Sequence, residues 1–299
     1  MIQHVPHAEI DKKWWDQQLL ACGNRMWYAQ SWVLDRTSPG WDALIDHGSG
    51  AIMPLTWRRK FSFKYLFQPY GSQQLGVFSP HYSKRIGEEF LHAIPSEFKL
   101  IDIALNEAMI DLQSDRFTIT GLDQQVLPLD RPIDELRAGY SKGHRRNLKD
   151  RSVEVEQEIA AGEFTALFKS TTAKRFKSGT PMDHAILEQV IEIAIGLGQC
   201  SIHGIRSEGK LIAVACFMEW EGRSIFYKSA ADPEFLHMKP MFRITDHYIA
   251  MHAGSGIVLD FAGSNTASVA RFNSGFGAVR KVYLRLQRNS LPPPFKWFK

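Results

Sequence analysis

The stretch CSIHGIRSEGKLIAVACFMEWEGRSIFYKSAA, residues 200–231, decides the fold of the chain. Its apolar runs at 200–206, 211–220 and 223–230 have the length and the aliphatic and aromatic content of β-strands. An acidic residue followed by glycine separates each run from the next, as is typical of tight hairpin turns. The stretch therefore predicts an antiparallel meander of three strands.

Helical and strand patterns surround this meander in a regular order. Two helices precede it and a helix, a strand, a helix and a last strand follow it, at 163–177, 183–197, 240–252, 257–261, 266–273 and 279–288. Within the second helix, Asp183 is a candidate N-cap.

The first half of the chain shows the same order of predicted helices and strands, without similarity in amino-acid sequence. Its predicted helices are 8–21, 26–37, 85–94 and 107–114, and its predicted strands are 41–46, 51–58, 64–69, 99–105 and 117–120. Asp130 and Pro132 favour the start of a further helix that continues to about residue 149. We therefore expect a duplicated α/β (α+β) architecture with mixed sheets. Its domains are 1–130 and 153–299, and a linker helix lies within 131–152.

The composition is that of a globular protein. Of 299 residues, 44% are hydrophobic and 23% are charged, which excludes disordered and fibrous chains. No apolar run approaches the ~20 residues that span a bilayer, and the start MIQHVPHAEIDKKWW lacks the pattern of a secretion signal. We therefore expect a cytoplasmic protein with no membrane span. Three widely spaced cysteines, expected to be buried thiols, provide neither a disulfide framework nor a CxxC metal pair: Cys22, Cys200 and Cys216.

The net charge of +4 is too small to indicate a nucleic-acid binder, but the basic residues are clustered. Segment 140–151 is one basic cluster, and a second contains Arg58, Arg59, Lys60 and Lys64. After Asp260 the chain has seven basic residues and no acidic side chain. Such clusters form either solvated faces or anion-binding sites.

Several common chemistries are not indicated. The sequence has no Walker A loop, no GxGxxG after a strand, no HExxH and no GxSxG. His247 and His252 are five positions apart, which separates them around a helix and disfavours a metal pair. No bound metal is therefore predicted.

Four motifs together resemble the FemABX-like acyltransferases, which contain two GNAT-type domains. They are LPLDRPIDELRAGYSKGHRRNLK at 127–149, DFAGSNTASVARFNSGFGAVR at 260–280, FYKSAADPEF at 226–235 and QPYGSQQLGVF at 68–78. The resemblance implies two tandem GNAT-like domains that transfer an acyl or aminoacyl group to an amine. It places the donor on the second domain and the acceptor between the two domains.

The resemblance also implies the donor site. A strand corresponding to 226–230 splays from its neighbour and offers backbone amides to the donor, so Tyr227 and Ser229 become donor-binding candidates. Lys228 then lies near the developing oxyanion. The helix that starts near Pro240 offers an anion site, to which Lys239 and Arg243 add charge. Asn265 is a further donor-binding candidate, with helix capping as its alternative.

The loop before that helix departs from the usual GNAT pattern. GNAT domains bind the pyrophosphate of coenzyme A on spaced glycines, whereas 235–243 contains no glycine. We therefore expect coenzyme A to bind weakly, and no tightly bound cofactor. Acyl-CoA and aminoacyl-tRNA both remain possible donors.

Two residues are candidates for proton transfer. Asp260 closes an apolar strand and ranks first as a general base for the amine, whereas its structural alternative is to accept hydrogen bonds from the 262–265 turn. Tyr283 ranks second, as a proton donor to the leaving group, with an ordinary sheet tyrosine as its alternative.

Substrate-binding candidates come from two segments. The first is one basic helical face that would clamp a phosphate or carboxylate unless it is only a solvated linker: Lys142, His144, Arg145 and Arg146. The second lies on the acceptor side of the first domain: Arg58, Tyr70 and Gln73.

Three functions therefore remain open. They are an N-acyltransferase, a transferase that uses aminoacyl-tRNA on a cell-wall precursor, and a catalytically silent protein that binds an anion or RNA. Aromatic residues among the C-terminal charges, Tyr283, Phe295, Trp297 and Phe298, would stack on RNA bases or pack the last strand. The partners expected are a small-molecule or cell-wall-precursor acceptor and, where the donor is an aminoacyl-tRNA, tRNA.

Overall fold

A computed structural model describes residues 1–60, 62–149, 153–157 and 159–293. Residues 150–151 of the basic segment 140–151, and the C-terminal residues Phe295, Trp297 and Phe298, lie outside these residues. The chain divides into two compact units, Met1–Leu122 with Val282–Lys299, and Asp123–Lys281. The two predicted GNAT-like domains, 1–130 and 153–299, were delimited by the repeated order of helices and strands and not by compactness. Their bounds therefore stay a prediction.

The strands are β1 (Gln3–Val5), β2 (Asp42–Asp46), β3 (Ala51–Leu55), β4 (Trp57–Lys60), β5 (Phe63–Phe67), β6 (Phe98–Ala104), β7 (Thr118–Pro128), β8 (Glu156–Gln157), β9 (Cys200–Ser207), β10 (Lys210–Trp220), β11 (Arg223–Ala231), β12 (Val258–Gly263) and β13 (Val279–Asn289). The helices are α1 (Lys12–Ala21), α2 (Ser31–Thr37), α3 (Lys84–Ala93), α4 (Ile133–Ala138), α5 (Lys142–Asn147), α6 (Ala161–Phe168), α7 (Lys174–Phe176), α8 (Pro181–Gly196), α9 (Pro240–His252) and α10 (Ala267–Ser274). A π-helical turn, Lys169–Ala173, joins α6 to α7.

The first unit contains two sheets. β1, β2 and β3 form an antiparallel sheet, and the second sheet has the order β4-β5-β6-β13. The predicted strand 51–58 is thus two strands in two sheets. It divides at Thr56, whose hydroxyl donates to the carbonyl of Phe67 at 2.6 Å. A core that includes Phe90, Phe98 and Leu286 packs this unit.

The second unit contains a mixed sheet of order β7-β12-β11-β10-β9-β8. β9, β10 and β11 are antiparallel neighbours, which confirms the predicted meander. α9 covers one face of it, where the ring of Tyr248 stacks on Phe217 with centroids 3.7 Å apart. Each buried aromatic side chain contributes roughly 1.5–3 kcal/mol to folding, so this contact fixes α9 on the sheet.

The predicted linker helix over 131–149 is wrong in one respect, because it consists of two short helices. α4 ends at Gly139, and α5 begins anew after Ser141, whose hydroxyl accepts from the backbone N–H of His144 at 3.2 Å. Pro132, not Asp130, is the N-cap of α4. The serine cap therefore turns the chain where a continuous pattern predicted one helix.

Other helix ends also follow local hydrogen bonds. α1 begins after Asp11, whose carboxylate accepts from the N–H of Trp14, and the predicted helix 107–114 is only a 3-10 turn, Glu107–Met109, started by Asn106. α8 is capped by Thr180, whereas Asp183 closes the capping box from inside the helix. The cap prediction for Asp183 is therefore corrected by three residues.

Two further observations concern the whole chain. Cys22 and Cys216 are buried thiols as predicted, whereas Cys200 is half-buried, with its Sγ 3.4 Å from that of Cys216. Among the described residues, no helix has the length and hydropathy needed to cross a membrane.

Candidate active site

The central feature of the second unit is a separation of two parallel strands. β11 pairs with β12 only from Arg223 opposite Val258 to Ile225 opposite Asp260, although both strands continue beyond that point. β12 stays beside β7, with a register shift between Asp260 and Gly263. The edge of β11 that faces β12 is therefore not paired with it after Ile225, as the family resemblance implied for the 226–230 strand.

A β-bulge lies at the same place. Cys216 of β10 is opposite Lys228, whereas Phe217 is opposite Phe226, so Tyr227 is an extra residue in β11. Bulges bend a strand and change the direction of the neighbouring side chains, and they occur often beside active sites. Here the bulge re-aims the two candidates Tyr227 and Lys228.

Lys228 is half-buried beside this bulge. Its Nζ lies 5.8 Å from the ring centroid of Tyr227, which is only 7% exposed. Desolvation of the ammonium group lowers the pKa of Lys228. A positive charge in such a poorly solvated place interacts strongly with an oxyanion, which is the role that the sequence suggested.

Ser229 lies next in the strand and links it to the preceding helices. Its carbonyl accepts a hydrogen bond from Thr172 Oγ1 at 3.1 Å, within the π-helical turn. The carbonyl of this donor-binding candidate is therefore engaged, and the helix from α6 to α7 is held against β11.

Asp260 is fully buried and its carboxylate is engaged on both oxygens. Arg223 donates to Oδ2 from Nη2 at 2.6 Å and from Nε at 3.0 Å, and the N–H of Ala262 donates to Oδ1 at 2.8 Å. Ala262 has a φ of +56°, so the second bond stabilises a left-handed turn. These contacts match the structural alternative, and the role of Asp260 as a base stays a prediction.

Arg223 was not singled out in the sequence. It lies 37 positions before its partner, and only the parallel pairing of β11 with β12 brings the two side chains together. The sequence signal that could have indicated Arg223 was its position as the first residue of β11, just before the point where β11 separates from β12.

The turn after Asp260 is held by hydrogen bonds within the unit. The N–H of Asp123 donates to Asn265 Oδ1 at 2.9 Å, and Asn273 donates to the hydroxyl of Ser264. The N-cap of α10 is Thr266, so neither Ser264 nor Asn265 caps it. Because Asn265 Oδ1 accepts this hydrogen bond, only the Nδ2 group of Asn265 is left to contact the acyl donor.

The start of α9 contrasts with a glycine-rich anion loop. Lys239 precedes the helix in the left-handed region with a φ of +53°, and Pro240 occupies the first turn. Proline has no N–H to donate, and the N–H of Phe242 is bonded to the carbonyl of Lys239. This helix start therefore offers few free N–H groups to a pyrophosphate, and weak binding of coenzyme A stays a prediction.

Arg243 belongs to a cavity of about 680 Å³. Its Nε is buried and has no hydrogen-bond partner among the described residues, whereas Nη2 reaches the carbonyl of Val153 at 3.4 Å. In the wall of the same cavity, Asp246 binds Arg137 through two hydrogen bonds and accepts from Tyr140 Oη at 3.1 Å. Burial of the phenol, and then the negative charge of Asp246 beside it, raise the pKa of Tyr140.

The predicted basic face on α5 is only partly present. Lys142, Arg145 and Arg146 are exposed, whereas His144 is 7% exposed and contacts Ser141 Oγ and the carbonyl of Phe272, each at 2.9 Å. The absence of a Cβ at position 275 makes room for the imidazole. Including His144 in an exposed ligand-binding face is therefore wrong, because its ring docks α5 on α10.

Arg145 is also engaged in the fold. Its Nη1 donates to the carbonyls of Ala138 and Tyr140, at 3.0 and 2.7 Å, and its side chain lines the 680 Å³ cavity. It thereby bridges the two short helices that replace the predicted single one.

The first unit has a cavity of its own, of about 430 Å³. Tyr283 and Gln73 both line it, together with Ser72 and the ion pair of Arg285 with Asp102. The Oγ of Ser72 and both amide atoms of Gln73 are buried without a hydrogen-bond partner among the described residues. Unpaired buried polar atoms are costly, so this cavity is suited to a polar ligand.

The other two acceptor-side candidates are not among the residues that line this cavity. Arg58 lies on the exposed strand β4, with its guanidinium 4.3 Å from the ring centroid of Phe67. Tyr70 is half-buried in the loop that leads to Gln73. Of the four first-unit candidates, the structure therefore brings together Tyr283 and Gln73.

A buried polar network under the meander was not predicted. Glu219 accepts from Tyr248 Oη at 2.9 Å and from Ser201 Oγ at 2.6 Å, and His203 Nε2 lies 3.2 Å from Ser201 Oγ. Burial, assisted by His247 and His252, lowers the pKa of His203 to about 4. Its only sequence signal was the alternation of Ser201 and His203 within an apolar strand. In the part of the chain that the structure describes, no cluster of three or more His, Cys, Asp or Glu side chains could hold a metal ion.

Comparison with known proteins identifies the fold. Residues 135–268 match the family model of the acetyltransferase (GNAT) domain. The crystal structure of FemX superposes with a TM-score of 0.69 at 14% identity, over 94% of this chain and 96% of FemX. A tandem GNAT protein from the clavulanic acid biosynthesis pathway gives 0.55 at 14% identity, over 98% and 99% of the two chains.

A third solved structure, L-PGS from Bacillus licheniformis, gives a TM-score of 0.52 at 14% identity, over 95% of this chain and 94% of L-PGS. No curated protein sequence matches the chain significantly. The domain match and the tandem GNAT fold confirm the resemblance drawn from the four motifs.

Proposed function

We propose that this chain, a FemABX-like acyltransferase with a GNAT domain over residues 135–268, transfers an acyl or aminoacyl group to the nitrogen of an amine. The observation that carries the proposal is the separation of β11 from β12 after Ile225, with the bulge at Tyr227 beside it. Backbone amides on that edge of β11 would donate to the donor carbonyl. Attack by the amine forms a C–N bond and places negative charge on this oxygen. When the tetrahedral intermediate collapses, the bond from the acyl carbon to the carrier oxygen or sulfur breaks, and the proton lost by the nitrogen passes through water to that departing atom.

Lys228 is the residue that we assign to that charge. Its ammonium lies in a poorly solvated position at the bulge, where a cation stabilises an oxyanion better than it does in water. Tyr227 and Ser229 flank it and would orient the donor chain. Asp260 is assigned a positioning role, since its pair with Arg223 joins the two strands where they separate.

The donor is proposed to be an aminoacyl-tRNA or another acyl carrier without the coenzyme A pyrophosphate. Support comes from the start of α9, which has a proline and no glycine where an anion loop is expected. The opposite case, a coenzyme A donor, is favoured by one neighbour, the tandem GNAT protein from the clavulanic acid pathway, whose compared structure is the form without AcCoA. Calorimetry with coenzyme A separates the two, because tight binding would contradict our choice of donor.

The acceptor is proposed to bind with Gln73, Ser72 and Tyr283 at the cavity of the first unit. Buried amide and hydroxyl atoms that have no hydrogen-bond partner within the described residues favour a polar acceptor such as a cell-wall precursor or another amine-bearing small molecule. The cytoplasmic location expected from the sequence stays a prediction.

The test is a transfer assay with Lys228→Met. Transfer of labelled groups from acetyl-CoA and from a mixture of aminoacyl-tRNAs to a panel of amines would be measured. We expect turnover to fall by about 10²–10³ with an unchanged melting temperature. Lys210→Met is the matched control, because this exposed lysine on the neighbouring strand pairs with Asp232. The proposed transferase activity is overturned if the wild type transfers a group from neither donor. The role of Lys228 is overturned if Lys228→Met stays fully active.

A further inference from the structure

The connection between α7 and α8 projects two large apolar side chains into solvent. In the sequence KRFKSGTPM, residues 174–182, Phe176 is 60% exposed and Met182 is 69% exposed. We call these nine residues the 174–182 tip. A single exposed apolar side chain needs no explanation, but two at one helix connection form a small apolar surface.

The same tip is strongly basic. Lys174, Arg175 and Lys177 lie within it, and it contains no acidic residue. All three are exposed, none has an ion-pair partner among the described residues, and the Arg175 guanidinium lies 5.2 Å from the Phe176 ring centroid. Three positive charges without an ion-pair partner in the described residues therefore lie within the same nine residues as the two exposed apolar side chains.

Nearby acidic groups do not neutralise the tip. Asp183 is the next carboxylate in the chain, and its Oδ2 accepts from both the N–H and the hydroxyl of Thr180, at 2.8 and 2.7 Å. Glu188, one turn further along α8, binds Lys169. Asp183 is thus bonded to Thr180 at the end of the tip and Glu188 is paired with Lys169, and neither forms an ion pair with the three cations of the tip in the described residues.

Local hydrogen bonds and backbone geometry shape the tip. Lys177 ends α7 with a φ of +49°, and Gly179 has a φ of +79°. His184 Nε2 lies 2.8 Å from the carbonyl of Ser178, and the Thr180 capping box starts α8. These contacts present Phe176 and Met182 outward instead of folding them onto the unit.

We propose that the 174–182 tip docks on the surface of an anionic phospholipid bilayer. Phe176 and Met182 enter the boundary between headgroups and acyl chains, while the three cations contact lipid phosphates. A bilayer fits better than RNA, because stacking on bases would use Phe176 but leave the more exposed Met182 without an apolar environment. Lysine and arginine stems extend along apolar surface and place their charges at the headgroups.

Docking at the tip would bring the donor strand close to the bilayer. The helical segment that leads to the tip is bonded to β11 through Thr172 and Ser229, only two positions before Lys174. This inference goes beyond the proposed function, since it concerns where the protein binds and requires neither the donor nor the acceptor.

The experiment is sedimentation with phosphatidylcholine vesicles, with and without about 30% phosphatidylglycerol, at about 0.1 M salt. We expect the wild type to sediment only with the anionic vesicles. Lys174→Gln/Arg175→Gln/Lys177→Gln should lower the partition coefficient about 100-fold, at roughly fivefold per charge. Phe176→Ser/Met182→Ser should lower it at least tenfold.

Matched controls use other exposed positions. Leu197→Ser removes a side chain that is 54% exposed at the other end of α8, and Arg58→Gln/Arg59→Gln/Lys60→Gln removes three charges from β4. We expect both controls to bind vesicles like the wild type, and all variants to keep their melting temperatures. The proposal is overturned if the wild type does not sediment with anionic vesicles, or if the tip variants bind these vesicles as the wild type does. Tip-dependent binding of a tRNA mixture without vesicle binding would assign the tip to RNA instead.

Discussion

The ion pair between Asp260 and Arg223 joins β12 to β11 at the point where the two strands separate. The side chain of Asp260 is 1% exposed and that of Arg223 is 18% exposed, so little water screens the pair. The aspartate was predicted as a base because it closes an apolar strand, and the same location explains why it needs a cation beside it. Its partner depends on strand register, which residue type and spacing alone do not fix.

Asp260→Asn tests which role dominates. The amide keeps an oxygen for the N–H of Ala262 but removes the carboxylate charge that faces Arg223, so we expect a loss of about 2–4 kcal/mol of folding free energy. Thermal unfolding would show a drop of several degrees, and turnover at low temperature would fall only modestly. A variant with an unchanged melting temperature and turnover lowered by about 10²–10⁴ would instead establish general-base catalysis.

His203 predicts an acid-sensitive fold. Burial lowers its pKa to about 4, whereas the unfolded chain binds the proton near pH 6.5. Stability from the neutral imidazole is therefore complete above about pH 6.5 and is lost as the pH falls toward 4, by up to roughly 3 kcal/mol. Denaturant unfolding between pH 7 and 4 measures this loss.

The substitution His203→Gln should flatten that pH dependence, and His237→Gln, at an exposed position in the same unit, should not. His247 and His252 have lowered pKa values for the same reason of burial and contribute to the residual slope. A wild type equally stable at pH 4.5 and 7 would contradict the role of this cluster.

At the scale of elements, the hydrophobic pattern predicts most of the second unit. α9 was predicted at its observed bounds, and the meander strands within about one residue, because a 3.6- or 2-residue period fixes which residues must be buried. The breaks were harder to predict. Ser141 and Thr56 interrupt the predicted elements through single side-chain hydrogen bonds, to the N–H of His144 and to the carbonyl of Phe67, and such bonds depend on the position of the partner backbone group.

The joint between α4 and α5 provides an element-level prediction. Arg145 donates to two carbonyls at this joint, so Arg145→Ala should destabilise the protein by about 1–2 kcal/mol. Arg146→Ala, at the neighbouring exposed position, should change stability by less than about 0.5 kcal/mol. Chemical denaturation compares the two variants, and equal stabilities would show that the Arg145 hydrogen bonds contribute nothing.

At the scale of the whole molecule, the first unit contains both ends of the described chain. Residues 285–289 of β13 pair with β6, and Leu284 and Leu286 belong to the core of that unit. The repeated order of elements predicted two successive halves, but an order of elements does not specify which sheet the last strand joins. The location of β13 therefore required the structure.

A fragment test follows from this arrangement. Residues 1–122 alone lack two core leucines and leave one edge of β6 unpaired, so we expect them to aggregate or remain unfolded. The same fragment joined to residues 282–293 through a short glycine-serine linker should be soluble and unfold cooperatively. Circular dichroism and light scattering distinguish the two, and a well-folded 1–122 fragment would refute the requirement for β13.

The position of β13 also has a consequence for synthesis on the ribosome. The segment between the two parts of the first unit, residues 123–281, takes about 8–32 s to translate at roughly 5–20 residues per second. During that interval the emerging N-terminal unit has an open edge on β6 and an incomplete core, while the unit behind it is still being made. A nascent chain of this kind is exposed to chaperones and to pairing with neighbouring polypeptides until its final strand leaves the exit tunnel.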